Sequence, residues 1–182
     1  MSLQQIESQI RELYGRTVWT HKTHEKCADR LLCRNKWLNI IQIFLSAITT
    51  TGFLIIIFGD GHIWTIVGII ASTLLFWLNL YIKDANLWQK AQRHADIATD
   101  LWNVRESYLS LLSDIKSNAI SIDQAKDRRD ALQEELFEIY KQAPRTDNKS
   151  FKKASKWLKD SQEFTFSDEE IDKFLPEVLR KK

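Results

Sequence analysis

Two stretches of the chain contain no Asp, Glu, Lys, Arg or His: residues 37–58, WLNIIQIFLSAITTTGFLIIIF, and residues 63–82, IWTIVGIIASTLLFWLNLYI. As α-helices they would extend about 33 and 30 Å, the thickness of a bilayer's hydrocarbon core. A buried hairpin in a soluble protein is the competing reading. Core helices, however, are usually shorter and keep a polar stripe, and a chain of 182 residues has little with which to cover two such runs. The pattern therefore predicts two membrane spans joined by GDGH at 59–62. Trp37, Trp77 and Tyr81 lie toward one membrane face and Trp64 toward the other, where amphipathic rings are favoured.

Outside the spans the apolar residues repeat at helical intervals. Ser2 with Gln5 forms a capping-box pattern, followed by Leu3, Ile6, Ile10, Leu13 and Thr17. No proline separates this segment from the first span, and Gly15 is its one weak point. After the second span, Leu87, Ala91, His94, Ala98, Leu101, Arg105, Tyr108, Leu112 and Ile115 follow a 4-3-4-3 spacing, a heptad seam that Trp88, Ala95, Trp102 and Leu109 are expected to widen. SNAIS interrupts it. A third helix is expected from Ser121, capped by Gln124, with Ile122, Ala125, Leu132, Leu136 and Ile139 on its apolar face, ending near Pro144. The basic stretch KSFKKASKWLKD then suits either an anionic leaflet or docking on the helical bundle. A last short helix, with Ser167 and Glu170 as its capping box, presents Ile171, Phe174 and Leu175.

All five glycines fall by residue 68 and nothing alternates with period 2, so the expected class is all-α. The architecture read from this is a two-span transmembrane helical hairpin continuing into a cytoplasmic antiparallel helical stem or bundle. Its parts are an N-terminal helix (1–36), spans 37–58 and 63–82 with the outer turn 59–62, a stem helix (83–118), a helix at 121–143 and a C-terminal basic stretch with a short helix (149–182). The segment before the first span and the stem after the second are nearly equal in length. They are expected to pair antiparallel and to extend about 50 Å from the membrane.

Charge sets the orientation. Residues 1–36 carry seven Lys or Arg, and Lys83, Lys90 and Arg93 follow the second span, while 59–62 carries none. By the positive-inside rule both termini are cytoplasmic and 59–62 is outside. The rest of the chain is balanced in charge, so no direct nucleic-acid binding is expected. Cys27 and Cys33 lie on the reducing side, six residues apart, and point in different directions on a helix.

No catalytic motif is legible: there is no phosphate loop, nucleophile motif or paired acids, so no enzyme activity, catalytic residue, metal or cofactor is expected. Two groups of polar residues remain. His21 and His24 precede the first span, and His94 follows the second at a similar remove, about 18–20 Å from the membrane if the helices pair. With Arg105 they read as a polar layer fixing helix register; a pH switch or metal site is the sharper alternative. Within the spans, Gln42, Ser46, Thr49 and Thr50 on the first and Gly68, Ser72 and Asn79 on the second read as helix-contact or pore-lining positions. The absence of intramembrane charge argues against a proton-coupled transporter or a voltage sensor.

The segments LYGRTVWTHKTHEKCADRL and AKDRRDALQEELFEIYKQAPRTDN, flanking two spans with almost no outer loop, make the chain resemble the SLATT family over about residues 5–150. Those proteins are bacterial two-span effectors associated with cyclic-oligonucleotide-type nucleotidyltransferases, nucleotide sensors or reverse transcriptases. The resemblance implies an abortive-infection role against phage: a cytosolic signalling partner of nucleotidyltransferase or reverse transcriptase type triggers homo-oligomers that breach the lipid bilayer. It transfers no catalytic residues. The alternative is a membrane anchor or scaffold that recruits such an enzyme through its helical domain.

Overall fold

The computed structural model describes residues 3–58, 62–158 and 168–180. Its elements are α1 (Leu3–Phe58), α2 (His62–Ala85), α3 (Leu87–Lys116), α4 (Ile122–Gln142), α5 (Asn148–Leu158), α6 (Asp168–Phe174) and a 3₁₀ turn (Glu177–Leu179). Among the described residues there is no strand, and the all-α class holds. The GDG of the 59–62 turn and the expected caps at Ser2 and Ser167 lie outside the described residues. Contacts divide the chain into two units, Met1–Ala28 with Gln92–Lys182, and Asp29–Ala91.

In the first unit α1, α3 and α4 form a three-helix bundle. His24 meets His94, while Tyr14, ten residues earlier on α1, lies near Arg105, eleven residues later on α3, so α1 and α3 run antiparallel. Arg129 donates to Gln9 at 2.8 Å and Tyr140 to Thr20 at 3.1 Å, so α4 runs parallel to α1. Arg128 pairs with Asp114 at 2.6 Å across α3 and α4. Ile6, Ile10, Leu101, Val104, Tyr108 and Ala125 are fully buried at the centre.

The seam on α3 is wider than a strict heptad, and mainly on the other flank from the one the sequence suggested, where only Leu109 packs against the core. Trp88 and Trp102 are 60% and 48% exposed, whereas Ile97, Val104 and Leu111 are buried. The stripe 97/104/111 faces α4, which packs on that flank. A heptad on one helix does not say which side a third helix will occupy. Arg105, a seam position by spacing, is displaced to the edge as Val104 turns inward. Ile122 is exposed for a similar reason: it precedes the first core contact of α4, Ala125.

Helix ends carry local solutions. Ser121 caps α4 in a reciprocal capping box with Gln124. α3 ends in a Schellman motif, with the Ala119 amide bonded to the Asp114 carbonyl and Asn118 to Ile115. The left-handed position is Asn118, at φ 55°; Asn is the usual substitute where a chain supplies no glycine, as here beyond residue 68. Asp147 caps α5 through the amides of Lys149 and Ser150, and Ser150 and Ala154, four apart, are buried. Phe151 packs against Trp19 of α1 in a tilted arrangement with ring centroids 5.9 Å apart, so the described part of the basic stretch docks on the bundle.

The 168–180 segment closes this unit. Ile171, Leu175 and Leu179 are buried in its core. Arg11, 1% exposed, donates to the Leu179 carbonyl at 2.9 Å and pairs with Asp172. Tyr14 donates to the Phe174 carbonyl at 2.8 Å.

In the second unit the spans pack antiparallel. Gly52 and Gly68 let the helices approach: a Cβ on Gly52 would stand 3.6 Å from Gly68 Cα and 3.6 Å from the Trp64 carbonyl oxygen. Arg34 bonds to the Tyr81 hydroxyl and lies 5.6 Å from its ring centroid. Both helices are long and apolar enough to cross a membrane, and only 6% of each apolar window is buried, whereas the core helix of a soluble protein is mostly buried.

Two outcomes follow from this packing. Leu101→Ala should lower stability by about 2–5 kcal/mol in denaturant or thermal melts of the detergent-solubilised protein. Gly52→Ala should be accepted, whereas Gly52→Leu should force the span backbones apart and lower the melting temperature.

Candidate functional site

Membrane-exposed helices offer a functional surface only through what they leave uncovered, so the first question is which residues the hairpin itself uses. On α1 the more buried positions of the span are Leu38, Gln42, Leu45, Thr49 and Gly52, spaced 4-3-4-3. On α2 they are Gly68, Ala71, Leu75, Leu78 and Ile82, spaced 3-4-3-4. These are facing heptad stripes, with small residues where the backbones are closest. Gln42, Thr49 and Gly68 therefore lie on the faces that the two spans turn toward each other, with Ser46 half-buried at the edge of the α1 stripe. Thr50, Ser72 and Asn79 are exposed.

Asn39, Ser46 and Thr50 occupy one flank of the α1 stripe, and Thr65, Ser72 and Asn79 the corresponding flank of α2; Ser46 and Thr65 are half-buried and the other four exposed, while the exposed Thr51 and Thr73 lie off this flank. In an antiparallel pair, corresponding flanks lie on the same side. The opposite side carries Ile41, Ile48, Val67 and Leu74, and ends at the Arg34–Tyr81 contact. The hairpin thus has one side richer in neutral polar groups, with Phe53 in line with them, and one more apolar side. Thr49, Thr50, Ser72 and Thr73 satisfy their hydroxyls on carbonyls of their own helices three or four residues back. The amides of Asn39 and Asn79 have no such local outlet.

In the helical unit the structure brings together two of the four polar residues singled out in the sequence. His24 Nδ1 and His94 Nδ1 are 3.1 Å apart, with ring centroids at 5.0 Å, and both residues are buried. At that distance one ring donates and the other accepts, so the pair holds one proton between the two nitrogens. Burial first, then the positive ends of His94 and His21, lower the His24 pKa to about 4. His21 turns instead toward Glu25, Nε2 to Oε1 at 3.7 Å. Burial lowers its pKa as well, with Glu25 opposing and Arg105 assisting. Arg105 is held by its neighbour Glu106, its Nε at 2.9 Å from the carboxylate. Among the described residues no three His, Cys, Asp or Glu side chains are placed to share a metal.

Two features have no counterpart in the sequence reading. The Cys27 thiol, one turn beyond His24, lies 3.8 Å from Asp147 Oδ2, tying the cap of α5 to α1. The Arg11–Asp172 pair links positions 161 residues apart. The only local sign was an arginine, Arg11, on the apolar side of an otherwise amphipathic helix.

A family model described as the SMODS and SLOG-associating 2TM effector domain, family 4, matches residues 6–170. No curated protein and no solved structure matches the chain.

The histidine pair makes stability depend on pH. The unfolded chain protonates His24 near 6.5, and the folded chain only near 4. The folded state keeps its full stability above about pH 6.5 and loses it progressively as pH falls toward 4, by about 3 kcal/mol in all. Melting temperatures of wild type and His24→Gln between pH 7.5 and 4.5 test this: the wild type should lose stability more steeply through that window. Parallel curves would show that His24 is not held neutral by burial.

Proposed function

This chain belongs to the SMODS and SLOG-associating two-transmembrane effector family, and from that premise we propose that it assembles in the bacterial inner membrane and permeabilises it when triggered from the cytosol. The observation that carries this reading is the division of the hairpin into a more polar and a more apolar side. A single hairpin presents Thr50, Ser72 and Asn79 to lipid. Carboxamides in hydrocarbon are costly unless bonded, and the polar side of a second copy supplies partners of the same kind. Several such sides around one axis would enclose a path lined by neutral hydroxyls and amides. With no charge in 37–58 or 63–82, that path would breach the membrane rather than select among ions.

The orientation proposed is that of the basic flanks, with both termini cytoplasmic and 59–62 outside. The helical segments within 1–36, 83–118, 121–143 and 149–182 would then meet a cytosolic partner or its nucleotide signal. The family's association with SMODS and SLOG supports a partner of nucleotidyltransferase or nucleotide-sensing type. A trigger needs only to favour one of two packings of the helical bundle. The His24–His94 contact is a suitable place for the two to differ, because a buried pair sharing one proton tolerates little displacement.

The triple variant Thr50→Leu, Ser72→Leu, Asn79→Leu should insert normally yet abolish dye entry into cells expressing the protein with its activating partner. The apolar-side control Ile48→Leu with Leu74→Ile should leave dye entry intact. Undiminished leakage in the triple variant would overturn the assignment of this side. If an unrelated two-span hairpin in place of 37–82 preserves function, the chain is an anchor for its partner instead.

A further inference from the structure

The family match ends at residue 170, yet the first unit is closed by residues beyond it. Ile171, Leu175 and Leu179 present one apolar edge, four residues apart, to a groove formed by α1 and α3. The groove is polar at its floor. Arg11 projects into it from α1, pairs with Asp172, and donates to the Leu179 carbonyl at 2.9 Å. Tyr14 donates to the Phe174 carbonyl at 2.8 Å, and Lys116 of α3 to the Arg180 carbonyl at 3.1 Å. Three side chains from two helices thus read the carbonyls and the one buried-edge carboxylate of a short segment. That is how a groove recognises a peptide, rather than how two helices pack.

We propose that this groove is a peptide-docking site that accepts residues 168–180 either from its own chain or from a second copy, so that exchanged segments tie copies together on the cytosolic side. Exchange of an identical element preserves every contact and requires no new interface, which makes it a low-cost route to association. The anchors favour a segment that can leave and return. Three buried apolar side chains, the half-buried Phe174, one ion pair and three hydrogen bonds to carbonyls hold thirteen residues whose ordering opposes docking. Specificity rests on Arg11: a guanidinium buried this completely requires a carboxylate, so a segment without the acid at 172 is rejected. The proposal deepens the assembly reading and rests on it only for its consequence; the groove's binding of the segment stands or falls by itself.

The test uses full-length protein in detergent and a fluorescent peptide of residues 168–182, followed by anisotropy. Asp172→Asn weakens the resident segment while leaving the groove intact, so this variant should bind the peptide best. Wild type should bind more weakly because its own segment competes. Arg11→Gln should bind at least about tenfold more weakly than Asp172→Asn. A peptide carrying Asp172→Asn should lose affinity for the Asp172→Asn protein by a similar factor. Thermal melts establish that each variant is folded, and Asp172→Glu serves as a second donor variant should Asp172→Asn fail to fold. Equal binding by all the folded proteins, or none by the folded donor variants, overturns the proposal. Because the readout is peptide binding, loss of dye entry with binding intact would count against permeabilisation alone.

Discussion

A single stripe at heptad spacing on α1 is the constraint on which the rest of the structure depends. It includes Ile10, Tyr14, Thr17, His24 and Ala28, and continues through Leu38, Gln42, Leu45, Thr49 and Gly52. Its chemistry changes along the way, from apolar and aromatic side chains to small and hydroxylated ones. The change follows from the solvent each part faces. In water, burial of Ile and Tyr drives helix pairing; in lipid there is no such drive, and close backbone approach at Gly52 and Gly68 takes its place.

The returning strand of the hairpin cannot keep one stripe in the same way. The α2 positions Gly68, Ala71, Leu75, Leu78, Ile82 and Ala85 and the α3 positions Leu87, Ala91, His94, Ala98 and Leu101 are both heptads, but out of phase by two residues. The phase is reset at Asn86, which stands in the left-handed region at φ 44° between the two helices. Asparagine tolerates that conformation better than any residue but glycine. A short break thus allows each helix to keep its own buried stripe.

Polar groups are treated differently in the two units. In the helical unit most buried polar side chains are matched, His24 with His94 and Arg11 with Asp172 and a carbonyl, while the buried Tyr108 hydroxyl has no partner among the described residues. Such matching makes a packing discriminating, since any displacement leaves a buried group unsatisfied. In the hairpin the polar groups are neutral, and the hydroxyls of Thr49, Thr50, Ser72 and Thr73 are satisfied by carbonyls of their own helices, so they tie the spans to no single packing.

The sequence by itself determined whatever depends on neighbours along the chain. Two charge-free runs specified the spans, since length and apolarity alone match a bilayer. Ser121 with Gln124 specified the start of α4, because a cap needs only the residues of one turn. The face-to-face placement of His24 and His94 was legible from their similar distances to the spans. Tertiary structure decided what depends on a third partner. α4 packs on the 97/104/111 flank of α3 and leaves Trp88 and Trp102 exposed, a choice between two flanks that periodicity treats alike. Within the spans, Thr49 lies on the face turned toward the other span and Thr50 on an outward one, although they are adjacent in sequence, because the stripe's rotation is fixed by where Gly52 meets Gly68. The Arg11–Asp172 clamp joins residues 161 apart, and no local spacing encodes a pairing at that range.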